Sequence, residues 1–293
     1  MQRPVEGTRT LSSPEEADRL NLVKLIPFLL VHVVALGVFL VPFKAWYVGL
    51  AVGLYYVRMF GVTAGYHRYF SHRSYKTSRI FQFLLACLAV SSAQKGVMWW
   101  AAHHRDHHRH SDQPEDVHSP VQRGLWWAHM GWIFAPRNGE ANLARVADLA
   151  RFPELRWLER WNLVPPIALA AGLFLWGGLP ALLWGFFVST TLLWHGTFTI
   201  NSLAHVFGSR RYATPDDSRN NWFLALLTLG EGWHNNHHFY RPAANQGFFW
   251  WEFDPTFYAL KVLSWVGLIW DVRTPPRHVL EEGSRQAGSL KST

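Results

Sequence analysis

Two short stretches of this chain are dense enough in one side chain to imply chemistry. "HRDHHRH" (His104 to His110) puts four histidines into seven residues, and "HNNHH" (His234 to His238) puts three into five. Both contain the spacing H-x-x-H-H. On a helix, positions i, i+3 and i+4 share one face, so each stretch offers three imidazoles to a common point. That is metal-ligand geometry, and imidazole is the commonest protein ligand for iron, zinc and copper. His67 and His72 in "HRYFSH" and His205 at the end of "NSLAH" bring the set to nine, enough for two ions at four or five nitrogens each. A lone histidine is more often a satisfied polar residue than a ligand; nine grouped in this way are not.

Two points of register stay open at this level. His103, His107 and His110 also share a helix face, and only the recurrence of H-x-x-H-H at His234 favours His104, His107 and His108 instead. His67 and His72 are five apart, about 140° around a helix, so the helix must end or bend between them if both bind metal. His32, His118, His129, His195 and His278 read as structural or supporting residues. No H-E-x-x-H occurs among the 16 histidines, which argues against a zinc hydrolase of that type. Two neighbouring nitrogen-rich ions suit redox chemistry on oxygen better, and zinc has no redox chemistry, so iron is the expected metal. The single cysteine, Cys87, excludes an internal disulfide and a cysteine-ligated cluster held within this chain. No G-x-G-x-x-G follows a strand-like run, so no flavin or nicotinamide site is expected, and reducing equivalents must come from outside.

The elements that position these residues belong to a membrane. Charged residues are only 16% of the 293, below the quarter or so of soluble domains, and there are 17 tryptophans. "LIPFLLVHVVALGVFLVPF" and "AWYVGLAVGLYYVRMFGVTAG" are each long enough to cross a hydrocarbon core. A second apolar pair is broken by "GGLP" at Gly177 to Pro180. We therefore expect an all-α membrane protein with four spans at about 24–43, 46–65, 163–177 and 180–200. A polar N-terminal segment, 1–22, would precede them, with a helix starting at Ser13-Pro14-Glu15-Glu16. A helical cap would be formed by 66–162 and 201–272, completing a single domain over 23–272, and 273–293 would be a mobile polar tail. The apolar run from Ile80 to Gln94 is expected to lie in the interface or against the spans. Trp99, Trp100, Trp126, Trp127 and Trp132 are expected in the headgroup layer, and Trp233, Trp250 and Trp251 as packing. Lysines and arginines cluster in the two large polar segments, which puts these and the N-terminus in the cytoplasm. The net charge of +8 suits anionic headgroups and, being spread beside spans, fits nucleic acid poorly.

"TAGYHRYFSHRSYKTS" (Thr63 to Ser78), "HRDHH", "NSLAH", "GEGWHNNHHFY", "WWEFDPT" and "GLIWDV" together resemble the membrane-bound fatty acyl desaturases of the Δ9, stearoyl-CoA type. The likeness runs from about residue 25 to 272. It implies four transmembrane helices under a cytoplasmic cap holding a non-haem di-iron centre at the inner end of an acyl tunnel. Its metal ligands fall on His67, His72, His104, His107, His108, His205, His234, His237 and His238, with Asn201 acting through a water. The reaction implied is O2-dependent removal of two vicinal hydrogens, giving a cis double bond and water. The helix before the first box would close the tunnel, with Tyr55 and Met59 as its floor. Acyl-CoA desaturases of this kind often carry Arg-Asp just before the second box, where this chain has Ala102-His103. Acyl-CoA, acyl-lipid and carrier-protein esters therefore stay open, with Arg137 as a candidate headgroup contact. With no fused cytochrome b5 motif, a separate ferredoxin, rubredoxin or cytochrome would deliver electrons, and the short chain favours a bacterial inner membrane. A hydroxylase or ketolase using a similar di-iron site is the alternative.

Overall fold

The computed structural model describes residues 19–289; the expected helix start at Ser13 lies outside them. The principal helices are α1 (Leu22–Ala35), α2 (Ala45–Phe60), α3 (Arg79–Val90), α4 (Val97–His110), α5 (Pro120–His129), α6 (Pro153–Arg160), α7 (Val164–Leu182), α8 (Ser189–Ser202), α9 (Trp222–Leu227), α10 (His234–Phe239), α11 (Pro255–Trp265) and α12 (Arg277–Ser289). Among the described residues, three helical stretches are long and apolar enough to cross a membrane: Leu22–Leu40, Ala45–Ser71 and Val164–His205. Their surfaces invert the soluble pattern. Ile26, Leu29, Leu30 and Val33 of α1 are all exposed, which only a lipid surround makes favourable.

The stretch Val164–His205 is 42 residues, about 63 Å if straight, twice a hydrocarbon core of about 30 Å. It is not straight. Gly177 and Gly178 leave helical geometry, Gly178 at a φ of +66° that favours glycine. Beyond this break the chain folds back, so that the Leu173 side chain lies against Gly185. The α2 helix runs on past Phe60 as wide, five-residue turns through Ser71. A Cβ at Gly61 would come within 2.9 Å of the Ala89 backbone nitrogen, so α2 and α3 meet backbone to backbone. The apolar run after Ile80 is thus buried on its Ala86 and Ala89 side and exposed at Ile80 and Leu84.

The rest of the chain packs over one end of these helices around Tyr66, Phe70, Met98, Leu155 and Leu158, all buried. A two-residue antiparallel ladder, β1 (Lys76–Thr77) with β2 (Ile269–Trp270), ties the exit of α2 to the exit of α11. Residues 277–289 are not a loose tail: they form α12, which buries Val279 against Tyr212 and Phe248. The tyrosine hydroxyl donates to the Val279 carbonyl (3.0 Å).

Candidate metal centre

All nine expected histidines come together, but not as two triads each drawn from one box. One cluster contains His67, His72, His104, His108 and His237, and a second contains His107, His205, His234 and His238; the nitrogens within each lie within 4.8 Å of one another. Each H-x-x-H-H therefore straddles both clusters, which corrects the expectation of a common point. At 100° per residue, i and i+4 lie about 40° apart, while i+3 lies about 60° to the other side. In α4 the i and i+4 pair (His104, His108) serves the first cluster and His107 the second. In α10 the pair (His234, His238) serves the second and His237 the first.

The widened end of α2 answers the register question for the first pair. The backbone N–H of His72 donates to the carbonyl of His67 (3.2 Å), a five-residue turn that returns both side chains to one face. Their rings lie 4.8 Å apart without the helix ending between them. His103 turns away: its Nδ1 hydrogen-bonds to the Trp99 carbonyl (2.8 Å) and its ring packs on Trp99 and Trp132. Asp106, inside the box, pairs with Arg145 rather than with any ligand.

The nitrogens are spaced as the donors of a coordination shell. In the first cluster Nε2 atoms meet in a path: His72 to His104 at 2.8 Å, His104 to His108 at 2.9 Å, His108 to His237 at 2.9 Å and His237 to His67 at 3.1 Å. A ring nitrogen has one hydrogen or one lone pair, so five such atoms can form at most two hydrogen bonds, not four. A shared cation satisfies all of them. Two nitrogens about 2.1 Å from one ion and at right angles are about 3.0 Å apart, which is the observed spacing. In the second cluster Nε2 of His205 and His234 are 3.1 Å apart, and the buried Nε2 of His238 has no partner. The donor set and its spacing fit metal.

Carboxylates that sequence reasoning missed set the tautomers. Nδ1–H of His107 donates to Asp116 (2.9 Å), that of His205 to Asp112 (2.8 Å) and that of His238 to Asp216 (2.8 Å), each leaving an Nε2 lone pair for the centre. Glu231 contacts His67 Nδ1 and also takes Arg68, which reaches Asp254 as well (3.1 Å). Burial, then the Coulomb effect of neighbouring imidazoles, holds His72, His104, His108, His234 and His237 well below the ordinary histidine range. Burial likewise takes His238 down to about 3, against the pull of Asp216. For His107 burial pulls down but the Asp116 charge wins, and its pKa is raised. Burial would raise Asp112, yet its hydrogen bond from His205 takes it down to about 2; Asp116 and Asp216 are also held below the usual carboxylate range, as histidine outweighs burial. Neutral imidazoles beside ionised carboxylates are the state a metal needs. His118 packs against His107 (ring centroids 4.3 Å apart, tilted) with its Nδ1 3.7 Å from Asp116, and belongs to neither cluster of imidazoles.

A cavity of about 640 Å³ runs from α1 and α7 to His103, His104 and Asn201. A smaller one of about 40 Å³ continues past His67, His107 and His234 to Met59 and Val62. Trp100, His104, Thr197 and Asn201 line both. Met59 therefore sits beyond the clusters, whereas Tyr55 is buried behind it with its hydroxyl donating to the Leu227 carbonyl (2.8 Å). Arg137 is exposed on the turn 136–138 and lies outside both linings. Trp99, Trp100 and Trp132 line the main cavity, and Trp250 is 89% exposed rather than packed. Three other histidines form a series, His32 to His195 (3.0 Å) to His129 (2.9 Å) to Ser202 (3.0 Å). Since His195 uses both ring nitrogens on different neighbours, these rings stitch α1, α5 and α8 and share no centre.

A scan against family models matches residues 44–263 to the fatty acid desaturase family. The chain is 36% identical over 258 residues to an sn-2 palmitoyl-lipid 9-desaturase of Nostoc sp. (strain 36), covering 84% of this chain and 90% of that one. It is 38% identical over 252 residues to an sn-1 stearoyl-lipid 9-desaturase of Synechocystis sp., covering 85% and 79%. It is also 38% identical over 220 residues to an acyl-CoA C20 Δ5-desaturase of Anemone leveillei, covering 74% and 70%. The chain belongs to the fatty acid desaturase family. It is an oxidoreductase that desaturates a fatty acyl chain, with histidine clusters able to hold metal.

Proposed function

We propose that this chain is an O2-dependent Δ9 desaturase of membrane acyl lipids, its five-histidine and four-histidine clusters each holding one non-haem iron ion. The observation that carries this reading is the convergence of Nε2 atoms beside an apolar cavity. The reaction takes O2, two electrons and two protons and converts two adjacent methylenes to a cis alkene with two waters. When bound, the iron pair supplies the redox chemistry that a methylene with no acidic proton and no leaving group requires. The protein's part is positioning. Phe28, Trp194 and Phe198 enclose the chain and exclude water; Trp100, stacked on His104 with ring centroids 5.0 Å apart, presses the chain toward the clusters. Met59 at the far end, backed by Tyr55, limits how far the methyl end advances and so which carbons stop beside the metals. Asn201 at the junction of the cavities holds a water toward the second cluster.

The four passages of apolar helix, with the break at Gly177 between the last two, cross the membrane, and the positive-inside rule puts the histidine end in the cytoplasm of a bacterial inner membrane. Electrons come from a separate acidic ferredoxin, rubredoxin or cytochrome b5 that docks on the basic cytoplasmic face. The lipid 9-desaturase names of the Nostoc and Synechocystis relatives support the bond position and the acyl-lipid carrier. The test is the fatty-acid profile, with double bonds located by mass spectrometry, of cells expressing the intact chain or His237→Ala. A cis-Δ9 species made only by the intact chain is expected. Hydroxylated chains would move the reaction to the hydroxylase alternative, and a double bond elsewhere would overturn the position.

A further inference from the structure

The main cavity carries two positive charges that an acyl chain does not use. Lys24, in the first turn of α1, and Lys95, just before α4, both line it, while most of the wall is apolar. Neither ammonium makes an ion pair among the described residues. The carboxylate that acts on Lys95, Glu159, is committed to the backbone N–H groups of Met98 (2.7 Å) and Trp99 (3.1 Å), where it caps α4. Lys95 adopts a left-handed backbone (φ 72°), uncommon for a residue with a long side chain, and its ammonium lies over the Trp99 ring at 5.7 Å from the centroid. Burial, and then the charge of Lys24, lowers its pKa. Two like charges brought together on a low-dielectric wall are unfavourable until an anion comes between them.

The mouth shows where that anion comes from. Pro27 of α1 and Leu163 and Ile167 at the start of α7 line the cavity and are also exposed on the outer apolar surface. The cavity therefore opens toward lipid. Lys24 follows the polar N-terminal residues at the very end of a span, the depth at which lysines meet lipid phosphates. In a glycerolipid the phosphate is a few atoms from the acyl ester. In a coenzyme A thioester a long polar arm separates the phosphates from the ester, and the molecule arrives from water.

We propose that the cavity takes its acyl chain sideways from the bilayer as part of an anionic glycerophospholipid, with Lys24 and Lys95 flanking the phosphate. This rests on the desaturase reading of the same cavity and goes beyond it to the headgroup. The neighbouring turn closes on the same ammonium: a Cβ at Gly139 would lie 2.8 Å from Lys24 Nζ.

The test uses the full-length, iron-loaded chain in nanodiscs holding equal amounts of distearoyl phosphatidylglycerol and the neutral distearoyl monogalactosyl lipid. Bound lipid is read by native mass spectrometry, and double bonds in each class are counted after supplying electrons and O2. The phospholipid should be retained roughly 25-fold over the galactolipid, at about fivefold per lysine. The ratio should fall toward one in Lys24→Gln/Lys95→Gln and stay unchanged in Lys261→Gln, a lysine exposed on α11. A ratio near one in the unmodified chain overturns the proposal, as does an equal loss in Lys261→Gln or displacement of the bound lipid by equimolar stearoyl-CoA. Equal conversion of both lipids without selective retention would sink the headgroup inference and leave the desaturase intact. Selective retention with no double bond in either lipid would support the lysine pair and overturn the enzyme reading.

Discussion

The two histidine clusters draw on the same two boxes yet are supported differently. The five-histidine cluster has one carboxylate behind it, Glu231 on His67. The four-histidine cluster has three, Asp112, Asp116 and Asp216. A carboxylate on Nδ1 fixes the ring and makes Nε2 a better donor, so the second cluster is the more electron-rich and the more rigidly held. The boxes differ as well. The first ends a 14-residue helix whose N-terminus is capped by Glu159. The second is a six-residue helix, too short to be stable alone. Its two asparagines hold it: Asn235 accepts from the N–H groups of Arg211 and Tyr212 (both 2.8 Å), and Asn236 donates to Glu252 (2.8 Å). Symmetry of spacing hides asymmetry of support.

The largest effect should come from removing ligands. His108→Ala and His237→Ala, from different boxes, should deplete the same ion, and His107→Ala with His234→Ala the other, each lowering activity by at least about 100-fold. Iron counting with Mössbauer spectra of the residual ion checks this; depletion that follows the box and not the cluster would break the crossed assignment. Asp116→Asn or Asp216→Asn should weaken the second cluster's ion about 10- to 100-fold against a chelator and spare the first, while Glu231→Gln should do the reverse. If all three weaken both ions equally, the clusters are not separately supported.

A smaller effect distinguishes the boxes. Asn235→Ala should cost about 1–3 kcal/mol by leaving buried N–H groups unpaired, whereas Glu159→Gln should cost about 1 kcal/mol at the cap of the longer helix. Thermal melting in detergent with and without iron reads both; a greater loss from Glu159→Gln would reverse the comparison.

The boxes also differ in the acid response of the metal-free protein. Five of the box histidines, His104, His108, His234, His237 and His238, have lowered pKa values in the fold, with His238 at about 3. Below about 6.5 the unfolded chain takes up protons that these do not, so their contribution is present above that pH and is lost as pH falls toward 3. His107, raised by Asp116, acts in the opposite sense and is confined to the first box. The melting temperature should therefore fall on acidification, and His107→Gln should steepen the fall. A melting temperature that rises between pH 7 and 5 would contradict this sign.

Much was legible in the residues. Side-chain type and spacing alone selected nine histidines out of 16, because only a clustered, repeated pattern departs from chance scatter. The apolar runs disclosed helices long and apolar enough to cross a membrane, and "GGLP" disclosed the break within the longest of these stretches, because glycine and proline act locally on the backbone. The preference for His104 over His103 also came from the repeat, and the structure places His104 in a cluster and His103 outside.

What the sequence could not decide is anything set by elements distant along the chain. The sharing of each box between two histidine clusters depends on how α4 and α10 face one another. The turn that unites His67 and His72 depends on α2 widening where it packs against α3. Asp112, Asp116 and Asp216 carry no local signal, since their role exists only where a histidine ring from elsewhere, or from beyond a turn, meets them. Ligand identity is a property of side-chain chemistry and is written in the chain. Ligand partition, tautomer and the path of the cavity are properties of relative position, and only tertiary packing fixes position.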